Sequence, residues 1–220
     1  MLTVTLAELR GRVRVYTDTV NSPTPTDQTI DDGLNASLRD LYAKLSETGD
    51  YLVTSTLLTT AAGQGVYDLP DNFWKLRSVV WLRDVRDAIT LYRFEDRDRA
   101  YLFNRVWSSS ARYRLDDVAF TAQPKIELLP APDAGYSIRV GYVPDPPTIS
   151  ITDGLSCAPG MDEWIVLNVT IRILGIEETD TTIWERLRAE CFATMVTPAV
   201  ALRDENRTQT ISDADADEAW

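Results

Sequence analysis

Residues 159–178, PGMDEWIVLNVTIRILGIEE, decide how this chain folds. Trp164, Leu167, Ile171 and Leu174 recur at helical spacing, and Ile165, Val169, Ile173 and Ile176 make a second apolar line beside them. Asn168, Arg172 and Gly175 leave a narrow polar seam. A helix that is apolar around most of its circumference belongs in the middle of a core. Asp162 and Glu163 fall in its first turn, where acids suit the positive end of the helix dipole. The rival is a strand, since Val169–Ile173 alternates and is rich in β-branched residues. Length favours the helix, because strands seldom run this far. The stretch carries no chemistry and reads as core.

Working outward, Thr5-Leu6-Ala7-Glu8 reads as a capping box that opens a short amphipathic helix from Leu9 to Tyr16. Its Arg10, Arg12 and Arg14 form a basic spot, expected to be solvated or to line an interface. The loop Asn21–Thr26 follows, with two prolines. Ile30, Leu34, Leu38, Leu41 and Leu45 then lie on one stripe, which predicts a long helix over Asp27–Thr48, weakened a little by Gly33. On the other side of the central stretch, Thr182 with Glu185 reads as a second capping box. Trp184, Leu187, Cys191 and Met195 make one more amphipathic helix, interrupted near Pro198.

Between these helices the texture is β. Tyr51–Thr59 reads as a strand, Ala62–Gly65 as a turn and Val66–Leu69 as the return strand of a hairpin. Gly63-Gln64-Gly65 lacks the rest of a phosphate-cradling glycine motif. Pro70–Phe73 is expected to make one helical turn, and Leu76–Leu82 another strand. Phe94–Val106, with alternating Asp and Arg at 96–99, reads as a charged surface helix. A catalytic carboxylate pair there is the sharper alternative, but the neighbouring arginines would keep both acids ionised. Arg112–Leu115, Val118–Ala122, Lys125–Leu129 and Ser137–Tyr142 read as a β meander, closed by Pro144-Asp145-Pro146-Pro147. The expected fold is therefore α+β: a helical bundle from residues 1–50 and 159–203, with a β-rich insertion over 51–158. Residues 204–220 form an acidic C-terminal tail.

The composition excludes several chemistries. The 220 residues hold no histidine, which removes Ser–His and Cys–His catalysis and the commonest metal ligand. Cys157 and Cys191 are far apart in sequence and supply no zinc site, so no catalytic, cofactor or metal residues are assigned. GxxxxGK[ST], GxSxG and HExxH are absent. With 34 acids against 22 bases the net charge is −12, which argues against gripping a nucleic-acid backbone but not against DNA passing by. Of the bases, all but Lys44, Lys75 and Lys125 are arginine, a residue suited to planar ion pairs at interfaces. No leader and no membrane-spanning run of about 20 apolar residues is expected, so the chain reads as soluble, with no membrane partner.

The order of parts resembles a known family. Gly65–Leu76, GVYDLPDNFWKL, is similar to the Tyr-x-Leu-Pro-x-x-Phe segment of tailed-phage head-to-tail adaptor (connector) proteins. Ile126–Pro132, IELLPAP, the strand at Ser137–Val143 and the Asp162-Glu163-Trp164 opening of the late helix continue the resemblance, which covers roughly Leu34 to Leu202. It implies a structural neck protein, not an enzyme, made in the host cytoplasm and placed at the head–tail junction of the virion. Its expected partners are the portal protein, a tail or nozzle protein, and further copies in a ring of about twelve. DNA would pass through the channel without specific binding. The tail Ser212–Trp220, with four acids and a terminal aromatic, has two open readings, a frayed terminus or a portal-docking arm. In the second reading Asp213, Asp215, Asp217 and Trp220 are the portal-binding candidates. Two other functions stay open: another neck or tail-tube component, and a virion-associated peptidoglycan hydrolase using two carboxylates.

Overall fold

The structure is a computed structural model, and it describes residues 2–20, 22–84, 87–103, 105–108, 110–116, 123–150 and 154–201. The chain is α+β. It begins with β1 (Leu2–Val4), α1 (Leu6–Tyr16) and α2 (Asp27–Thr48). Then come β2 (Thr54–Thr59), β3 (Val66–Asp68), β4 (Phe73–Asp84), β5 (Asp87–Thr90), β6 (Tyr92–Arg93) and α3 (Asp96–Phe103). The chain continues through β7 (Arg112–Asp116), β8 (Lys125–Leu129), β9 (Ser137–Pro144), β10 (Leu155–Cys157), α4 (Met161–Ile176) and α5 (Thr182–Cys191). Two compact units result. One holds the residues up to Tyr51 together with those from Pro146 onward, and the other holds Leu52–Asp145.

The first unit is centred on α4, the stretch whose sequence is most apolar. From Trp164 to Thr170 every residue is buried. A backbone buried on all sides must satisfy its own donors and acceptors, and a helix does so within one segment. The second apolar line stops short of its expected end, since Ile176 is 79% exposed. Gly160 caps the start of α4 with φ 86°, and a Cβ there would lie 2.5 Å from Cβ of Met195. Both the conformation and the close approach require glycine. α2 lays Ile30, Leu34, Leu38, Leu41 and Leu45 against the core, all at 2% exposure or less. Each such side chain contributes about 1.5–3 kcal/mol of burial, as an upper estimate. Gly33 costs the helix propensity but admits Val169, whose Cγ1 would stand 3.1 Å from a Cβ at position 33.

The N-terminal capping box is formed, with Thr5 N–H donating to Glu8 Oε2 (2.8 Å) and Glu8 N–H to Thr5 Oγ1 (3.3 Å). The second box is not. Thr181 occupies the N-cap, Thr182 donates its hydroxyl to Asp180 (2.6 Å), and Glu185 accepts from Thr181 Oγ1 (2.9 Å). Pro198 does not interrupt the last helix. Phe192–Val196 widens into a π turn in which Thr197 N–H donates to Phe192 O, and helix resumes to residue 201. The wider turn absorbs the missing N–H and the ring crowding that proline brings.

The second unit holds two four-stranded sheets, in the orders β2-β9-β4-β5 and β3-β8-β7-β6. This overturns the expected hairpin. β2 pairs with β9 and β3 with β8, both antiparallel. The expected meander fails in the same way: β7 and β8 pair, but β8 and β9 lie in different sheets. Val118–Ala122 lies outside the described residues. The two connections run side by side. Thr60 N–H donates to Tyr136 O (2.9 Å), and Gly63 N–H to Pro132 O (2.8 Å). The β2–β9 ribbon thus turns a corner and continues as β3–β8. Tyr67 holds the corner, donating its hydroxyl to Gln64 O (2.6 Å). Pro70–Phe73 is a single turn closed by Phe73 N–H to Pro70 O (2.9 Å), not a helical turn. One core draws on both sheets, including Tyr67, Val79, Trp81, Ile126, Leu128 and Val140.

Candidate functional site

Polar cross-links orient the helices of the first unit. Arg12 donates to Asp162 Oδ2 (2.7 Å) and also bonds Glu163, so α1 is tied to the first turn of α4. Tyr16 Oη donates to Glu163 Oε1 (3.0 Å), and its ring lies 5.2 Å from that of Trp184 in α5. Arg10 bonds Asp31, and Arg14 donates to Asp27 Oδ1 (2.7 Å) and to the carbonyls of Ser22 and Pro25. The three arginines expected to form a solvated or interface-lining spot are therefore spent within the chain. The acids of α2 and α4 face them, and that proximity is not written in local sequence. Farther along α4, buried Asn168 gives its amide N–H to Ser37 Oγ (3.0 Å) and accepts from Arg188 Nη1 at 2.5 Å. This residue joins α2, α4 and α5. Its sequence signal is a lone amide in the polar seam of an apolar helix, which marks a seam but not a hub.

Titration follows this packing. Burial pushes the Cys157 thiol up to about 11, with Asp162 adding to the effect. The Cys191 thiol is raised by the same two causes. Both cysteines are free and buried, and protonated thiols are poor nucleophiles. Hydrogen bonds from the Thr5 backbone and hydroxyl hold Glu8 below the usual carboxylate range, and the Arg14 hydrogen bond does so for Asp27. A glycosidase acid needs a displacement in the other direction.

The alternating Asp–Arg segment is α3 and its approach. Arg99 donates to Glu127 Oε1 (2.5 Å), Arg114 lies 3.6 Å from Glu127 Oε2, and Arg114 also bonds Asp96. Glu127 is buried, so the pairing compensates a desolvated charge and anchors the helix on β8.

The helical unit leaves an open apolar groove of about 400 Å³ between α1, α4 and α5. Tyr16, Leu167, Trp184, Leu187 and Met195 line it, with Glu163 and Glu190 at its rim. Beside it a second recess of about 520 Å³ shares Tyr16 and adds Val4, Val15, Glu8, Arg12 and Asp162. Of the lining residues, Val15 and Met195 are 63% and 46% exposed. Contiguous apolar surface of this kind marks an interaction site.

A family model described as SU10 adaptor protein matches residues 4–215. The chain belongs to the SU10 adaptor protein family. This is a phage head-to-tail adaptor family. Membership implies a place at the head–tail junction of the virion and contact with portal and tail proteins. An adaptor family is a structural protein family. No curated protein matches the sequence. The expected portal-binding residues of this adaptor, Asp213, Asp215, Asp217 and Trp220, lie outside the described residues. No helix of the described adaptor is long and apolar enough to cross a membrane.

Proposed function

We propose that this protein is a non-enzymatic neck component that assembles as a ring of about twelve copies, the number the resemblance supplies. The ring docks under the portal and offers its other face to a tail or nozzle protein. The observation that carries this reading is the family match over residues 4–215. In this role the helices act as a bundle and the β-rich unit as its insertion. The C-terminal segment, through Asp213, Asp215, Asp217 and Trp220, is the arm that reaches the portal. The net charge of −12 per copy supports a channel wall that repels DNA during ejection.

The test is a phage lacking this gene product. The reading expects DNA-filled heads and separate, complete tails that join when purified protein is added. Tailed particles formed without it would overturn the reading. A chain lacking Asp213–Trp220 should lose portal binding, and unchanged binding would dismiss the arm.

A further inference from the structure

The sheets of the β-rich unit have four outer strands: β2 and β5 in one, β3 and β6 in the other. An outer strand exposes unpaired N–H and C=O groups, and proteins blunt it by shortness, charge, proline or a bulge. β3 and β6 are three and two residues long. β5 is guarded at its start, where its ladder with β4 carries a bulge between Leu82 and Asp84 and Arg83 pairs with Asp87 (3.3 Å). β2 has none of these devices. Its six residues, Thr54–Thr59, hold no charge and no proline, and they pair with β9 without a bulge. They lie in Tyr51–Tyr67, the longest stretch of the chain without a charged residue. Leu57 on the outer face is 65% exposed. Among the described residues no strand covers the far side of β2.

An apolar row across the same sheet stops at both edges. The registers set Leu58 opposite Ile138, Ile138 opposite Trp81, and Trp81 opposite Ile89. Ile138 and Trp81, in the middle, are buried, whereas Leu58 and Ile89, at the ends, are only partly so. All three ladders are antiparallel, so the two edges of this four-stranded sheet run in opposite directions. A copy related by rotation about an axis along the strands therefore brings its β5 antiparallel to β2. Past the Arg83–Asp87 pair, Ala88–Thr90 of β5 is uncharged as well. A strand from an unrelated chain, or β2 pairing with β2, would leave β5 and Ile89 open. A second copy completes both edges with one kind of contact.

We propose that the outer edge of β2 in one copy pairs antiparallel with β5 of a second copy, with Leu58 opposite Ile89. Leu57 then faces Thr90, and Thr59 faces Ala88. The backbone supplies the donors and acceptors that the edge lacks, and the Leu58–Ile89 pair extends the apolar row from copy to copy. β2 and β5 are different surfaces of one chain, so the contact is head-to-tail and can propagate around a ring. This inference rests on the ring-forming reading above and adds the strands that join neighbours.

The test is a full-length chain carrying Thr59→Cys and Ala88→Cys, both at exposed positions, oxidised at high protein concentration and again on purified portal. Within one copy the two positions share a row but lie three strand spacings apart, about 14 Å, beyond the reach of a disulfide. The expected result is a ladder of covalent multimers under denaturing conditions in at least one setting. Each single variant should give no multimers, and the two mixed one to one should give dimers and stop there. Portal loaded with many copies but no ladder would overturn the inference and leave the portal reading intact. A ladder from protein that ignores portal would keep the inference and remove the portal reading. No ladder in either setting would overturn the inference. So would dimers formed by a single variant as readily as by the mixture, which would mark two like edges pairing.

A second readout probes the edge itself. Ser55 and Leu57 are exposed, so Ser55→Lys and Leu57→Lys added to the cysteine pair should leave the thermal midpoint unchanged. They should abolish the ladder, because lysines on an edge strand oppose pairing. A ladder that persists at its former yield would overturn the inference.

Discussion

The two units hold their parts together in different ways. In the helical unit, charged and amide side chains tie elements distant in sequence: Arg12 to Asp162 and Glu163, Arg172 to Asp40 (2.6 Å), and Arg188 to Asn168. In the β-rich unit, the ladders fix register and an aromatic cluster fills the centre. There the Trp81 ring lies 5.3 Å from Trp107 and 5.0 Å from Tyr136, both edge-on. Smooth apolar helices can slide and rotate against one another, so directional polar contacts specify their placement. Strands receive that specification from their own backbone. Polar ties at the centre of the helical unit, and their apolar counterpart in the sheets, should therefore answer differently to mutation.

The largest effect is expected at Trp164, which is 1% exposed in the middle of α4. Trp164→Ala should cost about 3–5 kcal/mol. Hydrogen exchange should show protection lost in α2 and α4 while β4 and β9 keep theirs. Equal loss in β4 and β9 would erase the contrast. Arg12→Met comes next. It leaves Asp162 and Glu163 without their cation, at about 3 kcal/mol, the lower end for a buried pair because Arg12 is partly solvated. Increased exchange should be confined to α1 and the first turn of α4.

The pH dependence is smaller and has a defined sign. The Cys157 thiol titrates near 11 in the folded chain against an ordinary 9.0. Its folded pKa is raised, so its contribution to stability is complete below about 9 and is lost as pH rises toward 11. Denaturant midpoints should fall across that window, and Cys157→Ala should flatten the fall. The smallest effect belongs to Asp27, whose folded pKa is depressed. Its contribution is present above the ordinary Asp range and disappears as pH falls through the folded value. Asp27→Asn should lose that small increment at neutral pH, leave stability in strong acid unchanged, and so flatten the acid limb of the stability profile.

Legibility in the sequence divided along the same line. The stripe Ile30–Leu45 placed α2 at Asp27–Thr48, where it lies, because helical periodicity is local. The all-round apolar run placed α4 in the core for the same reason. Strand positions were also legible at Lys125–Leu129, but strand partners were not. The turn at Ala62–Gly65 reads in sequence as a hairpin turn, and only the bonds to Tyr136 and Pro132, roughly 70 residues on, make it a corner. β1 and β10, three residues each, fell below the length at which alternation is visible. The groove was half legible. Trp184, Leu187, Cys191 and Met195 share one apolar face in the sequence, yet nothing local says that Cys191 is buried while Leu187 and Met195 stay partly open. Cys191 is buried because its Sγ faces Gly160 O at the start of α4 (3.4 Å), a tertiary fact.

The most direct test of the central claim is the mass of the purified 24.7 kDa chain, alone and mixed with the portal ring from the same phage. The adaptor account expects the portal to gain about a dozen copies, in one added ring. A portal whose mass is unchanged by excess protein would contradict it.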